Sequence, residues 1–327
     1  MITLGIESTA HTFGIGIIKD KNVLANVKDS FTTESGGMIP SELTRHHEEI
    51  NEKVIDDALK VAKIKITDID LISYSNAPGF GGCLSVGQDV ALKFSKKLNI
   101  PMVGVHHSVA HLEIGRMLFP KCKDPVLMYA SGANTQIIAY EGKKYRVFGE
   151  TLDQGIGNMI DSFARYIGLG FPGGPKIEEL ALKSKNYIEL PYNVKGMDVN
   201  FGGILTNIKR KFDSKEYKVE DICFSLQETI FAMLVEVTER AMAHCDKDEL
   251  LLGGGVACNK RLQEMCQIMC DERGAKCFVP PNTVLVDNGV MIAWLGRIMH
   301  DAGYKTDYDK LDYYPYQRTD DIDVFWR

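Results

Sequence analysis

Residues 1–19 read MITLGIESTAHTFGIGIIK, and this stretch decides the fold. Residues 2–7 alternate into a short apolar strand and residues 12–19 into a second, with Ser8-Thr9-Ala10-His11-Thr12 between them. The polar turn Asp20-Lys21-Asn22 leads to a third strand over 23–31. The pattern then restarts 123 residues further on, with strands over 126–130, 136–140 and 145–150. Ser131-Gly132-Ala133-Asn134-Thr135 occupies the place of the first motif, and Glu141-Gly142-Lys143-Lys144 makes the second hairpin turn. A repeat of this size predicts a duplicated α/β lobe, with a ligand cleft between the copies.

Working outward, the spacing of apolar residues predicts helices over 41–62, 86–98 and 108–118 and strands over 70–75 and 102–105. The first helix begins behind Pro40 and carries a stripe of Leu43, Ile50, Val54, Ile55, Ala58 and Leu59. The second copy is richer in helix, over 158–167, 177–185, 222–245, 260–273 and 289–301. Residues 196–218 are the least periodic and are expected to form a mobile insertion, and 320–327 a short polar tail. The lobes are expected at 1–124 and 125–299, with 300–327 packing back on the first.

The composition narrows the function classes. A chain of 327 residues predicts about two domains. Lysine and arginine number 38 against 44 acidic residues, a net charge of −6 that does not suit a non-specific nucleic-acid binder. The longest uncharged stretch, 71–88, holds four glycines and three serines, too polar for a membrane span. The start reads as a strand and not as a leader, so a cytoplasmic location is expected. Eight cysteines form no C-x-x-C pair and are expected as reduced thiols. Cys266 and Cys270 share a helix face like metal ligands, but no second pair supports them and core packing is favoured.

Glycine is the outlier, at 30 residues of 327 against a usual ~7%. The glycines gather at Gly36-Gly37, Gly79-Gly81-Gly82, Gly132, Gly155-Gly157, Gly170-Gly173-Gly174 and Gly253-Gly254-Gly255. Each cluster alone reads as a turn. Several, each beside Ser, Thr, Asn or Asp, suggest backbone amides and helix N-termini arranged for a nucleotide phosphate. No G-x-x-x-x-G-K-[ST] is present, and no G-x-G-x-x-G follows the first strand, so P-loop and Rossmann sites are disfavoured. A strand hairpin with Ser/Thr at its turn resembles the actin/sugar-kinase superfamily instead.

His107 and His111, in His106-His107-Ser108-Val109-Ala110-His111, lie four apart on a predicted helix and can reach one cation. Tyr129 ends the first strand of the second copy, and Asp287 sits in the turn Val286-Asp287-Asn288-Gly289. Spacing alone does not bring these four together. A metalloprotease helix would carry Glu directly after the first histidine, where this chain has Ser108.

These segments together resemble the universal tRNA threonylcarbamoyladenosine synthases, most closely the archaeal and eukaryotic branch that serves as catalytic subunit of the KEOPS complex. The resemblance rests on Gly5-Ile6-Glu7-Ser8-Thr9-Ala10, Gly36-Gly37-Met38-Ile39-Pro40, Pro78-Gly79-Phe80, the 105–113 histidine segment, Ser131-Gly132-Ala133-Asn134-Thr135-Gln136, Gly157-Asn158 with Asp161-Ser162-Phe163-Ala164-Arg165, Gly173-Gly174-Pro175-Lys176-Ile177-Glu178, Gly254-Gly255-Val256 with Asn259, and the 287–294 segment. Arg318-Thr319-Asp320 with Trp326 resembles the archaeal and eukaryotic branch, and the fused kinase of some relatives is expected to be absent. Ser8, His106, Ala133 and Cys258 depart from the residues frequent in the family, and His106 could offer a competing ligand.

The resemblance implies an α/β actin/sugar-kinase-like (ASKHA) fold of two duplicated lobes with an interlobe nucleotide and metal cleft. It implies one divalent metal ion per subunit, iron or zinc, on His107, His111, Tyr129 and Asp287. It implies an adenylate pocket lined by Tyr129, Ser131, Gly132, Ala133, Asn134, Gly155, Asp161, Gly174, Glu178, Gly255 and Asn259, with Glu7, Ser8 and Thr9 as a phosphate loop. The implied reaction moves threonylcarbamoyl from threonylcarbamoyl-AMP, made by a separate synthase, to the exocyclic amine of adenosine 37 in ANN-decoding tRNAs. The implied partners are tRNA and KEOPS-type subunits, including a small protein kinase and a small dimerising subunit, with no membrane. Basic runs at Lys93-Lys96-Lys97, Lys143-Lys144, Lys209-Arg210-Lys211 and Lys260-Arg261 are short, so partners are expected to supply much of the tRNA affinity. The alternatives are a small-molecule kinase of the same fold, which gives the histidine pair no role, a non-catalytic scaffold paralogue, and a glycoprotease, which lacks its base.

Overall fold

The computed structural model describes residues 1–33 and 38–327. The glycine pair at 36–37, and with it part of the 36–40 motif, lies outside the described residues. The first copy contains β1 (Ile2–Glu7), β2 (Thr12–Lys19), β3 (Asn22–Ser30), α1 (Pro40–Ala62), β4 (Leu71–Ala77), α2 (Gly81–Leu98), β5 (Met102–His106) and α3 (His107–Leu118). The second begins with β6 (Val126–Ala130), β7 (Thr135–Glu141), β8 (Lys144–Glu150), α4 (Ile156–Tyr166) and α5 (Gly174–Ala181). It continues through the two-residue strands β9 (Val194–Lys195) and β10 (Asp198–Val199), then α6 (Gly202–Ser214), α7 (Val219–His244), β11 (Glu249–Gly253), α8 (Lys260–Arg273), β12 (Lys276–Phe278), α9 (Asn282–Leu285) and α10 (Gly289–Asp301).

The two sheets have one topology. The first runs β3-β2-β1-β4-β5, and the second, read from the other edge, runs β8-β7-β6-β11-β12. In each, three antiparallel strands are followed by two parallel ones. Thr12 and Thr135 open the equivalent second strands. This is the duplicated actin/sugar-kinase-like α/β architecture.

Alternation along the strands distributes the cores. On β6, Val126, Met128 and Ala130 face a core built with α4 to α8, whereas Leu127 and Tyr129 face a central core shared with α3 and α10. Likewise on β11, Leu250 and Leu252 point one way and Leu251 the other. On β1, Leu4 and Ile6 face α1 and α2. Its opposite face carries Gly5, where a Cβ would lie 2.2 Å from the Gly289 carbonyl oxygen. Two sheets therefore enclose a middle layer made by α3 and α10, and odd-numbered residues of β1 and β6 look into it.

Helix α10 rests directly on the first sheet, because Gly5 and Gly16 let its N-terminal turn touch strand backbone. A boundary at 299 therefore cuts off a helix whose packing belongs with residues 1–124. The tail after α10 crosses both sheets. The Tyr314 amide donates to the Asn76 carbonyl and the Gly79 amide to Pro315, while Arg318 pairs with Glu150 and the Trp326 indole donates to Glu113. The tail thus touches the first copy at both ends, through Asn76 and Gly79 and again through Glu113, and the second copy in between through Glu150.

The insertion expected at 196–218 contains α6, whose Ile204 and Ile208 are buried. Gly202-Gly203 at its start and the Lys-Arg-Lys run near its end mask a period that Ile204, Ile208 and Phe212 keep. All eight cysteines are free thiols, five of them buried. No helix among the described residues is long and apolar enough to cross a membrane.

Candidate metal centre and adjoining rim

The candidate centre forms where three chain turns meet the middle layer. Strand β5 hands over to α3 at His106, the extended residue preceding the helix, so His107 and His111 start the first two turns on one face. Asp287 enters from the turn before α10, whose cap Asn288 accepts from the Met291 amide at 3.0 Å. Tyr129, at the end of β6, faces the same layer by strand alternation.

One oxygen of Asp287 lies 3.4 Å from His107 Nε2 and 3.5 Å from His111 Nε2. The donor atoms of the three residues fall within 4.8 Å of one another. Among the described residues they are the one group of histidine, cysteine or acidic side chains with that convergence. The Tyr129 ring lies 5.0 Å from His111 and 6.3 Å from His107, centroid to centroid. Both histidines and Tyr129 are buried, while Asp287 retains 17% exposure.

Glu7 sets the orientation of His107. Its Oε2 sits 2.9 Å from His107 Nδ1, and its Oε1 accepts from the Thr9 amide and hydroxyl at 2.8 and 2.5 Å. Holding Nδ1 leaves Nε2 directed at Asp287, the carboxylate–histidine arrangement that orients metal-ligating imidazoles. Burial alone would lower the His107 pKa, but the charges of Glu7, Tyr129 and Asp287 raise it well above the usual range. Burial would raise Asp287, yet the adjoining His107 charge carries it well below the carboxylate range. Burial lowers His111 and raises Tyr129. The donor set fits a divalent cation: His111 Nε2 is buried without a hydrogen-bond partner, and two imidazoles with a carboxylate suit zinc or iron.

The expected phosphate loop is built differently. Glu7, Ser8 and Thr9 are 0%, 0% and 3% exposed, and both Glu7 oxygens are engaged within the chain. Ser8 points to the other side of β1, where its amide donates to Ser75 Oγ and α2 closes over it at Gly87. The first copy of the motif thus supports His107, while the second, Ser131 to Asn134, stays partly open. His106 turns away from the centre, its Nε2 3.3 Å from the Gln317 carbonyl, and burial pushes its pKa down to about 4.

The residues expected around an adenylate form a linked rim beside Tyr129. The Ser131–Asn134 turn, closed by the Ser131 amide on the Asn134 carbonyl at 2.8 Å, carries the exposed Ala133. It abuts the start of α4, where the Asn158 amide donates to Gly132 at 2.9 Å. Gly155 is required by packing, since a Cβ there would lie 2.2 Å from the Gly132 carbonyl. Asp161 accepts from the Gly173 amide at 2.7 Å, and Glu178 from the Lys260 amide at 2.9 Å, which ties α5 to the start of α8. Burial raises the pKa of Asp161. Asn259 caps α8 through Arg261 and Leu262 and donates to Gln227, so its side chain is engaged within the chain.

A Cβ at Gly174 would meet nothing within 4 Å, and at Gly255 only Val286 at 3.9 Å. Protein packing does not demand glycine at either position, so the open space there suits close approach of a ligand. Three helix N-termini, those of α4, α5 and α8, meet at this rim and favour an anion.

Fold and site together define an actin/sugar-kinase-like protein with a buried His-His-Asp cluster where its two sheets meet. The model of the TsaD family, tRNA N6-adenosine threonylcarbamoyltransferase, matches residues 22–294. The chain is 53% identical over 326 residues to the tRNA N6-adenosine threonylcarbamoyltransferase of Thermococcus kodakarensis, covering all of both chains. It is 47% identical to the probable enzyme of that name from Drosophila melanogaster, covering 99% of this chain and 98% of the other. Among solved structures, component A of the (R)-2-hydroxyglutaryl-CoA dehydratase of Acidaminococcus fermentans superposes with a TM-score of 0.58 at 15% identity. It covers 90% of this chain and 97% of its own. That likeness shows the fold alone. The chain belongs to the TsaD family of tRNA N6-adenosine threonylcarbamoyltransferases.

Proposed function

We propose that this chain transfers the threonylcarbamoyl group from threonylcarbamoyl-AMP to the exocyclic amine of adenosine 37 in ANN-decoding tRNAs. The observation that carries the reading is the convergence of His107 and His111 on one Asp287 oxygen, at the point where β6 delivers Tyr129 to the glycine rim. A kinase of the same fold would give that buried pair no role.

His107, His111 and Asp287, with Tyr129 beside them, would hold one divalent ion, iron or zinc. Bound there, the ion would act as a Lewis acid toward the carbamoyl carbonyl. The chain's own groups do the rest. Glu7, braced by Thr9, keeps His107 Nε2 aimed at the centre. Asp161 and Glu178 are carboxylates suited to accept from the two ribose hydroxyls. Gly132, Ala133, Gly174 and Gly255, with Ser131 and Asn134, leave room for the adenylate, and the helix N-termini favour its phosphate as negative charge grows there. The amine attacks the carbamoyl carbon directly: a C–N bond forms, the mixed-anhydride C–O bond breaks, AMP departs with the electron pair, and one N–H proton of the amine passes to water. No serine or cysteine nucleophile is needed for this route.

The chain acts as catalytic subunit of a KEOPS-type assembly in the cytoplasm, with a small kinase and a small dimerising subunit as partners and a separate synthase supplying the donor. Its lobes are residues 1–124 joined by the α10 helix, and residues 125–288. Reconstitution with the synthase, partners, threonine, bicarbonate, ATP and unmodified tRNA tests the reading. Mass analysis of digested tRNA should show threonylcarbamoylated adenosine. Absence of that product, in a mixture where the Thermococcus relative makes it, would overturn the proposal.

A further inference from the structure

The last turns of α6 carry Lys209, Arg210 and Lys211, and the chain continues through Lys215 and Lys218. Between 202 and 218 five cations stand against two carboxylates, Asp213 and Glu216, in a chain whose net charge is −6. With Ile204 and Ile208 buried, the helical turn of about 100° per residue spreads Lys209, Arg210 and Lys211 across the outer half of the helix.

None of the five cations forms an ion pair among the described residues. Cations elsewhere in the second copy do: Arg240 pairs with Glu236, Arg261 with Glu228 and Glu264, and Lys183 with Glu179. Asp213 instead accepts from the Tyr166 hydroxyl at 2.6 Å. The ammonium of Lys209 lies over the Tyr166 ring at 4.8 Å, and that of Lys211 over the Tyr217 ring at 4.7 Å. Both rings are exposed, at 43% and 37%. A helix C-terminus favours a cation or two. Five cations without an acidic partner, two of them lying over partly exposed aromatic rings, exceed that need.

Unpaired cations interleaved with exposed aromatic rings suit a ligand that alternates phosphates with bases, because phosphates release counterions and bases stack on the rings. The patch also stands close to the rim. Tyr166 follows Asp161 by five residues on α4, about 7.5 Å along the helix. We infer that the outer face of α6, with Tyr166 and Tyr217, is a docking surface for the phosphate backbone of a looped RNA whose target base enters the rim. This rests on the transferase reading and locates its acceptor.

The test is fluorescence anisotropy of labelled, unmodified tRNA with the full chain, from about 50 to about 200 mM salt. The variant Lys209→Glu/Arg210→Glu/Lys211→Glu should bind about tenfold or more weakly at low salt. Its slope of log affinity against log salt should fall by roughly two to three, as three phosphate contacts require. The same positions changed to Gln should show a smaller loss, and Lys53→Glu/Lys60→Glu/Lys305→Glu, an equal charge change elsewhere, should bind like the unaltered chain. AMP affinity should be the same in all. Unchanged RNA affinity and slope in the α6 variants would overturn the inference, as would loss of an acidic protein partner with RNA binding intact. If RNA binding depends on α6 yet no adenosine is modified in reconstitution, the transferase reading fails and the surface stands. If transfer proceeds with an unaltered KM for tRNA in the charge-reversed variant, the surface fails and the transferase reading stands.

Discussion

Glu7 and Ser8 are neighbours in sequence and opposites in the fold. The pleat of β1 sends Glu7 to the middle layer, where it holds His107, and Ser8 to α2. An acidic residue at a strand end reads from sequence as one member of a polar turn, so its positioning role stayed hidden. The histidine pair was legible because i and i+4 share a helix face. Asp287 could be placed with them only through the family resemblance, since no local period links residues so far apart. His47 shows a second consequence of burial. It is fully buried against Phe13, ring centroids 5.5 Å apart, and burial pushes its pKa down to about 4. The unfolded chain takes up that proton near pH 6.5, so the protonation penalty of burying His47 vanishes above that pH. Stability should fall as the pH drops from about 6.5 toward 4, by about 3 kcal/mol at most from this residue. Urea unfolding of the unaltered chain and of His47→Leu across that range checks it. The variant should lose stability less steeply on acidification, and equal slopes would refute the assignment.

At the scale of elements, strands and long helices were readable from period, and their errors have physical causes. Helix α5 was expected over 177–185 and runs Gly174–Ala181, because Gly173 and Pro175 begin it earlier than its apolar residues show. Strands β11 and β12 are short, and they extend the second sheet as parallel strands, β11 beside β6 and β12 beside β11. The glycines divide in a way composition cannot show. Some admit backbone contact between elements, and others leave space at the rim. A Cβ at Gly16 would stand 2.1 Å from the Val290 amide of α10, backbone against backbone. Gly16→Ala should therefore cost about 2 kcal/mol or more, while Gly174→Ala should stay within about 0.5 kcal/mol of the unaltered chain. Thermal and denaturant unfolding of the two variants would show this order. Comparable losses would mean that α10 does not seat on the first sheet through Gly16.

For the whole molecule, the duplication was visible because both copies keep one motif at equal spacing, and the two sheets repeat one strand order. What joins them was not visible. Helices α3 and α10 make a middle layer, and a tail after α10 runs over both sheets to Trp326. The net charge of −6 first argues against nucleic acid, yet the charge is unevenly spread, and α6 presents cations that no acidic side chain among the described residues pairs with. An acidic subunit can in this way position an RNA locally while its partners hold most of it. The proposed mechanism rests on His107, His111 and Asp287 holding the ion on which transfer depends. It is tested most directly by measuring bound metal and threonylcarbamoyl transfer together in the unaltered chain and in His111→Ala, with unfolding curves to confirm that both are folded. About one iron or zinc per unaltered chain is expected, with loss of both metal and transfer in the variant. Full transfer by a folded, metal-depleted His111→Ala chain would contradict it.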